Sequence, residues 1–182
     1  MKKSIILFAL VGLTTIAFAQ KKKTTTSATI NFDATTSLDK LPKADNKTVI
    51  ASIDTKKGNV AFESIIKNFT FSNPKMQEHF NGEKWMDSDK FGTATFTGKI
   101  TNIAAVNFKK DGTYKADVTG NLTMHGVTKP VTTTATIVVA GKAISSSTNF
   151  SVKLADYGIN GGAIAAGKVA TDPTISVMAS FK

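Results

Sequence analysis

Two histidines, His79 and His125, and the carboxylates Glu78, Asp87 and Asp89 are the residues of this chain best suited to hold a metal or move a proton. Either task needs them to converge on one point with a defined geometry. Their sequence contexts contain no H-x-x-x-H or comparable ligand spacing. His125 falls on the polar side of an alternating run, where a turn-stabilising hydrogen bond is the expected role. His79, beside Phe80, reads as a helix-surface or loop-anchoring residue, and Asp87 and Asp89 as loop-capping acids. The chain has no cysteine and no G-x-S-x-G, so nucleophilic thiol and serine-elbow chemistry have no candidate.

The chemistry left is that of apolar side chains. Phe62, Phe69, Phe71, Met76, Phe80, Trp85, Met86, Phe96, Val118, Leu122, Met124, Phe150 and Val152 are the candidates to line a binding cavity. Each also serves as ordinary core. Burying one methylene of a ligand stabilises by about 0.8 kcal/mol, whereas association costs roughly 4 to 15 kcal/mol. A tail of about ten carbons barely breaks even on those figures, so such a cavity suits longer chains. Met76, Phe80, Trp85 and Met86 stand apart because they fall in a helix and a long loop that can act as a lid, and methionine adapts to irregular ligands.

Strands must position these residues. Tyr114, Ala116, Val118, Gly120, Leu122 and Met124 alternate with polar neighbours, and after His125-Gly126-Val127-Thr128 the apolar face moves to the odd positions Val131, Ala135, Ile137 and Val139. Gly126 permits a turn with positive φ, and Pro130 suits the start of a strand. The same period places strands at Ala28–Ala34, Val49–Ile53, Val60–Ile66, Ala94–Ile100, Phe150–Leu154 and Ile175–Phe181. Beyond Lys67-Asn68 the apolar residues Phe69 and Phe71 switch parity, as a bulge or bend produces. Residues 37–47 read as loop. Asn73 as cap, Pro74 at the first position and Gly82 as stop predict one short helix. Eight strands and no long helical period predict an all-β, eight-stranded antiparallel barrel. Small inward residues, among them Ala34, Ala51, Ser64, Ala94, Gly98, Ala116, Gly120, Ala135 and Ala179, leave two readings open: an interior filled by complementary side chains, or one hollow enough for a ligand.

Lys2 and Lys3, the apolar run from Ile5 to Phe18 and Ala17-Phe18-Ala19 before Gln20 read as a cleaved signal peptide over residues 1–19. The expected product is periplasmic or secreted, with a flexible polar tail over 20–27 and a single domain over 28–182. The formal net charge is +10, and every one of the 23 basic residues is lysine. Without arginine the chain has no planar fork for phosphate or guanine, which argues against nucleic acid as a partner. The lysines read chiefly as a solubilising surface, with a mild attraction for anionic lipid surfaces or headgroups.

NLTMHGVTKPV (121–131), together with MQEHFN (76–81), WMDSDKF (85–91), ATFTG (94–98) and FSVKLADYGI (150–159), resembles the YceI-like family. The resemblance runs in order over nearly all of the chain from about Ala28. It implies a lipocalin-like barrel, exported in bacteria and without enzymatic activity, enclosing a polyisoprenoid or its phosphate, a fatty acid or a fatty amide, as a carrier or scavenger. It also implies a homodimer, while the lysine-rich charge adds a transient contact with a membrane surface. Gly92 and Gly161-Gly162 stand where relatives usually carry proline, which bears on the shape of the barrel mouth. The rival reading is a filled barrel that serves as a structural or interaction module of the envelope. An enzyme using His79 or His125 with a metal is the more distant one.

Overall fold

The computed structural model describes residues 22–182. Nine strands appear: β1 (Lys22–Asp33), β2 (Lys43–Asp54), β3 (Asn59–Ile65), β4 (Thr70–Phe71), β5 (Thr93–Ile100), β6 (Gly112–Met124), β7 (Val127–Ala140), β8 (Ala143–Ser151) and β9 (Thr174–Phe181). Each pairs antiparallel with its neighbour in the order β1-β9-β8-β7-β6-β5-β3-β2, and β2 returns to pair with β1. The eight long strands therefore close into a barrel, which removes the exposed edges an open sheet would present. β4 is a two-residue extension of the same wall, paired with Ala44 and Asp45 of β2.

The parity switch after Ile66 has a physical cause. A 3₁₀ turn over Ile66–Asn68 breaks β3 from β4, so β2 pairs first with one and then with the other. Asn46 of β2, fully buried, bridges the break. Its amide donates to Ser64 Oγ at 3.0 Å and to the Ile65 carbonyl at 2.9 Å. Its Oδ1 accepts from the Thr48 N–H and hydroxyl. A buried amide with all these partners replaces ladder bonds lost at the break.

Two sequence expectations are corrected here. Lys22–Ser27, expected within a flexible tail, belong to β1 and pair with β2 from Lys22 opposite Asp54. Lys43–Lys47, read as loop, form the first half of β2, where Ala44 and Asn46 point inward and are buried. The β6–β7 link is also tighter than the four residues expected. Met124 pairs with Val127, leaving only His125 and Gly126 in the turn, with φ of 52° and 73°. Positive φ at both central residues is the hairpin geometry that matches strand twist. Pro130 then lies within β7, opposite Asn121, in the part of the strand that β8 does not pair.

The barrel ends differ. One carries only the turn at 55–58, the loop 101–111 and the turn at 141–142. That loop drops Val106 into the core, with Ile103 and Phe108 packed behind it, and plugs this end. The other end carries the 34–42 loop, residues 66–92 with helix α1 (Pro74–Asn81), and the 152–173 connection with a one-turn helix α2 (Gly162–Ala165). Asn73 Oδ1 caps α1 by accepting from the Lys75 N–H, Pro74 opens it and the Gly82 N–H closes it on the Glu78 and His79 carbonyls. Phe80 on its inner face meets Phe71, Phe69 and Phe32 at ring-centroid distances of 4.9, 5.7 and 5.8 Å. This aromatic cluster fixes α1 over the barrel; each such pair adds about 0.5 to 1.5 kcal/mol beyond area burial.

Candidate functional site

Between the plug and α1 the barrel is hollow. The internal cavity offers about 140 Å³ to the centres of water-sized molecules, where roughly 10 to 15 Å³ suffices for one. Space for about ten waters is far beyond the packing voids of a filled core. Its wall is apolar, with hydroxyls of Ser64, Ser146 and Thr148 among the few polar groups and no charged side chain among the described residues.

Eleven of the thirteen candidates line this cavity: Phe62, Phe69, Phe80, Trp85, Met86, Phe96, Val118, Leu122, Met124, Phe150 and Val152. Phe71 and Met76 instead line a smaller neighbouring pocket of about 90 Å³ with Pro42, His79, Ala163 and Val169. Phe32, Phe80 and Trp85 face both spaces and so form the partition between them. Phe32, Ile30 and Ile175 also line the main cavity; the alternation of their strands had placed them inward, so that signal was present though unused. Ile159 and Pro173 line it from the irregular 152–173 connection, where no periodicity points to them.

The small inward residues divide unexpectedly. Gly98 and Gly120 face each other across β5 and β6, but the Phe96 ring lies over both. A Cβ at Gly120 would stand 2.6 Å from that ring and 2.4 Å from the Thr97 carbonyl oxygen. Those glycines make room for an aromatic ring and not for a ligand. The alanines that do border the cavity are Ala94 and Ala135.

At its β7–β8 side the ladder ends at Ala135 opposite Thr148. There the Thr133 and Thr148 hydroxyls lie 2.8 Å apart and continue to the carbonyls of Asn149 and Thr134. The Thr133 and Thr148 hydroxyls at this seam are thus already engaged within the wall.

Residues 82–91 and the 152–173 connection lie against one another over the lidded end. Trp85 packs on Gly161, where a Cβ would stand 3.1 Å from the indole. Phe91 packs edge-on against His125 with centroids 4.8 Å apart, and a Cβ on Gly126 would come within 2.6 Å of its ring. His125 Nδ1 lies 2.8 Å from the Tyr157 carbonyl, to which it donates. The expected hydrogen bond of His125 therefore reaches across to another loop instead of stabilising its own turn. Burial, followed by the nearby Asp156 charge, pushes the Tyr157 phenol above its ordinary value. His79 is exposed at the small pocket, and Asp89 pairs with Lys67 rather than capping its loop. Among the described residues no three His, Asp or Glu side chains gather as metal ligands.

The chain matches the YceI-like domain family over residues 12–181. A UPF0312 protein of Pseudomonas fluorescens is 36% identical over 84 residues, which span 46% of this chain and only 39% of that protein. Protein YceI of Salmonella arizonae is 30% identical over 136 residues, spanning 71% of this chain and 60% of that one. Among solved structures, a polyisoprenoid binding domain from Saccharophagus degradans, implicated in plant cell wall breakdown, shares the fold with a TM-score of 0.74 at 14% identity, covering 89% of this chain and 98% of that one. BcnA of Burkholderia cenocepacia superposes with a TM-score of 0.71 at 19% identity, covering 84% of this chain and 95% of that one. With a family match over nearly its whole length and the closed barrel those folds share, the chain belongs to the YceI-like domain family.

Proposed function

We propose that this protein is an exported, non-enzymatic carrier or scavenger whose barrel encloses the chain of a long isoprenoid or acyl lipid. One observation carries the reading: a hollow, apolar cavity inside the barrel with no charged side chain among the described residues that line it. The polyisoprenoid binding described for the Saccharophagus domain supports it. An ionised headgroup inside that wall would find no counter-charge, and burying an unpaired ion costs several kcal/mol. A phosphate or carboxylate therefore stays at the lidded end, where His79 is the one titratable side chain among the described residues lining these pockets. Entry through the neighbouring pocket displaces Phe80 and Trp85, which form the partition between the two spaces, so residues 74–91 act as the lid on that route.

Export rests on the leader, residues 1–19, which lies outside the described residues; N-terminal sequencing of the extracytoplasmic protein should begin at Gln20. Native mass spectrometry of that protein, followed by organic extraction, tests the cargo. A discrete added mass that extracts as a long-chain isoprenoid or acyl lipid is the expected result. A mass that stays at the apo value after incubation with polyprenyl phosphates and fatty acids refutes the carrier reading. The lid reading fails separately if saturating lipid changes neither Trp85 fluorescence nor hydrogen exchange over 74–91.

A further inference from the structure

The excess of lysine is not spread over the barrel. The strand register collects it at the plugged end. Lys22 and Lys23 begin β1, Lys56 and Lys57 occupy the β2–β3 turn, and Lys99 is the next-to-last residue of β5. Lys109 and Lys110 lie in the loop after β5, Lys115 near the start of β6 and Lys142 in the β7–β8 turn. Eight of these nine are exposed and Lys23 is half-buried, its Nζ donating to the Lys142 carbonyl. Among the described residues three acidic side chains, Asp54, Asp111 and Asp117, share this end. Asp54 takes the amides of Lys56 and Lys57, Asp111 that of Gly141, and Asp117 the side chains of Asn102 and Thr134.

The lidded end, by contrast, holds nine lysines and nine carboxylates, over residues 33–45, 67–90, 129 and 153–172. An eight-residue strand such as β9, tilted as barrel strands are, spans about 20 Å along the axis. That exceeds the Debye length of about 8 Å at physiological salt, so the two ends act as separate surfaces, one strongly cationic and one balanced.

We propose that the plugged end docks the barrel on anionic lipid bilayers and turns the lid away from the docked surface. The lysines rim a barrel end on six separate turns, loops and strand ends, which suits a broad layer of headgroups. Compact, hydrated ammonium groups without any arginine suit diffuse attraction to such a layer better than forked recognition of single phosphates. The inference does not depend on what the cavity holds.

The test is co-sedimentation of the mature protein with vesicles of phosphatidylglycerol mixed with phosphatidylcholine, against vesicles of phosphatidylcholine alone. Two variants of equal net charge decide it: Lys56→Gln/Lys57→Gln/Lys109→Gln/Lys110→Gln at the plugged end, and Lys75→Gln/Lys84→Gln/Lys153→Gln/Lys168→Gln at the lidded end. Each lysine at an anionic surface is worth about five-fold in partitioning, so the first variant should lose several hundred-fold. The second should bind as the parent does, and raised salt should release both parent and second variant. A second plugged-end set, Lys99→Gln/Lys115→Gln/Lys142→Gln, read alongside circular dichroism, separates a folding defect from lost binding. Equal losses in the two quadruple variants overturn the proposal, because net charge alone would then govern binding. So does a parent that ignores anionic vesicles or prefers duplex DNA to them. Loss of binding on Leu38→Ser/Leu41→Ser, the exposed leucines of the 34–42 loop, would overturn it in favour of lid-first docking.

Discussion

Ala135 on β7 is buried, borders the cavity and faces Ala116 and Thr148 across the ladder. Ala135→Leu adds three carbons to the wall, and its effect on stability has opposite signs for a hollow and a filled barrel. In a hollow barrel the new carbons leave water for existing space, worth about 2.4 kcal/mol at about 0.8 kcal/mol per methylene. With a urea slope of roughly 2 kcal/mol per molar, the unfolding midpoint of delipidated protein should rise by about 1 M. In a filled barrel the same change overpacks the core and lowers stability by about 1 to 3 kcal/mol. The leucine also occupies room that a lipid chain would use, so affinity for a long-chain lipid should fall about fifty-fold by the same arithmetic. Equilibrium urea unfolding before and after lipid addition reads both effects. A midpoint that falls in the delipidated protein refutes the hollow interior, and a midpoint that rises with lipid affinity unchanged refutes the cavity as the binding site.

Three further perturbations follow from the geometry. Gly120→Ala forces a Cβ against the Phe96 ring and the Thr97 carbonyl; an overpacking cost of roughly 1 to 3 kcal/mol should lower the melting temperature by about 2 to 12 °C in calorimetry. Gly161→Val should push the Trp85 indole off its seat, red-shifting its emission as the ring gains water and raising hydrogen exchange over 82–91; an unmoved spectrum would show that the two loops are not coupled. Asp33 accepts the Thr35 N–H at 2.9 Å, and that bond first, helped by Lys43 and Lys40, holds its carboxyl below the ordinary 3.8. A depressed folded value gives stability that is present above pH about 4 and lost as pH falls through the folded value. Asp33→Asn should therefore unfold slightly earlier than the parent at neutral pH and equally below the titration; a gap that persists in acid would assign the effect to something other than the charge.

Much of the barrel is legible in local sequence because one face of each strand is dry. Period-two alternation along 112–124 and 127–140 marks two strands and their inward faces, and the Asn73-Pro74 to Gly82 punctuation marks α1 with its cap and stop. Most of the cavity wall follows from the same alternation, since an inward side chain in a closed barrel faces the interior whatever its partner. What fails is every inference that depends on a distant neighbour. Ala44 and Asn46 look like loop residues because β2 draws its pairing there from β1 and from β4, on the far side of a 3₁₀ turn. Gly98 and Gly120 look like empty space until Phe96 is seen to fill it, and Gly161 looks like a loosened turn until Trp85 is seen to lie on it. Net charge can be counted from composition, whereas its concentration at one barrel end is set by register, which brings turns far apart in the chain to the same rim. Local patterns thus determined the elements and the faces they bury. Only closure of the sheet, a matter of long-range pairing, decided that the interior stays hollow, which loops cover it and where the charge lies.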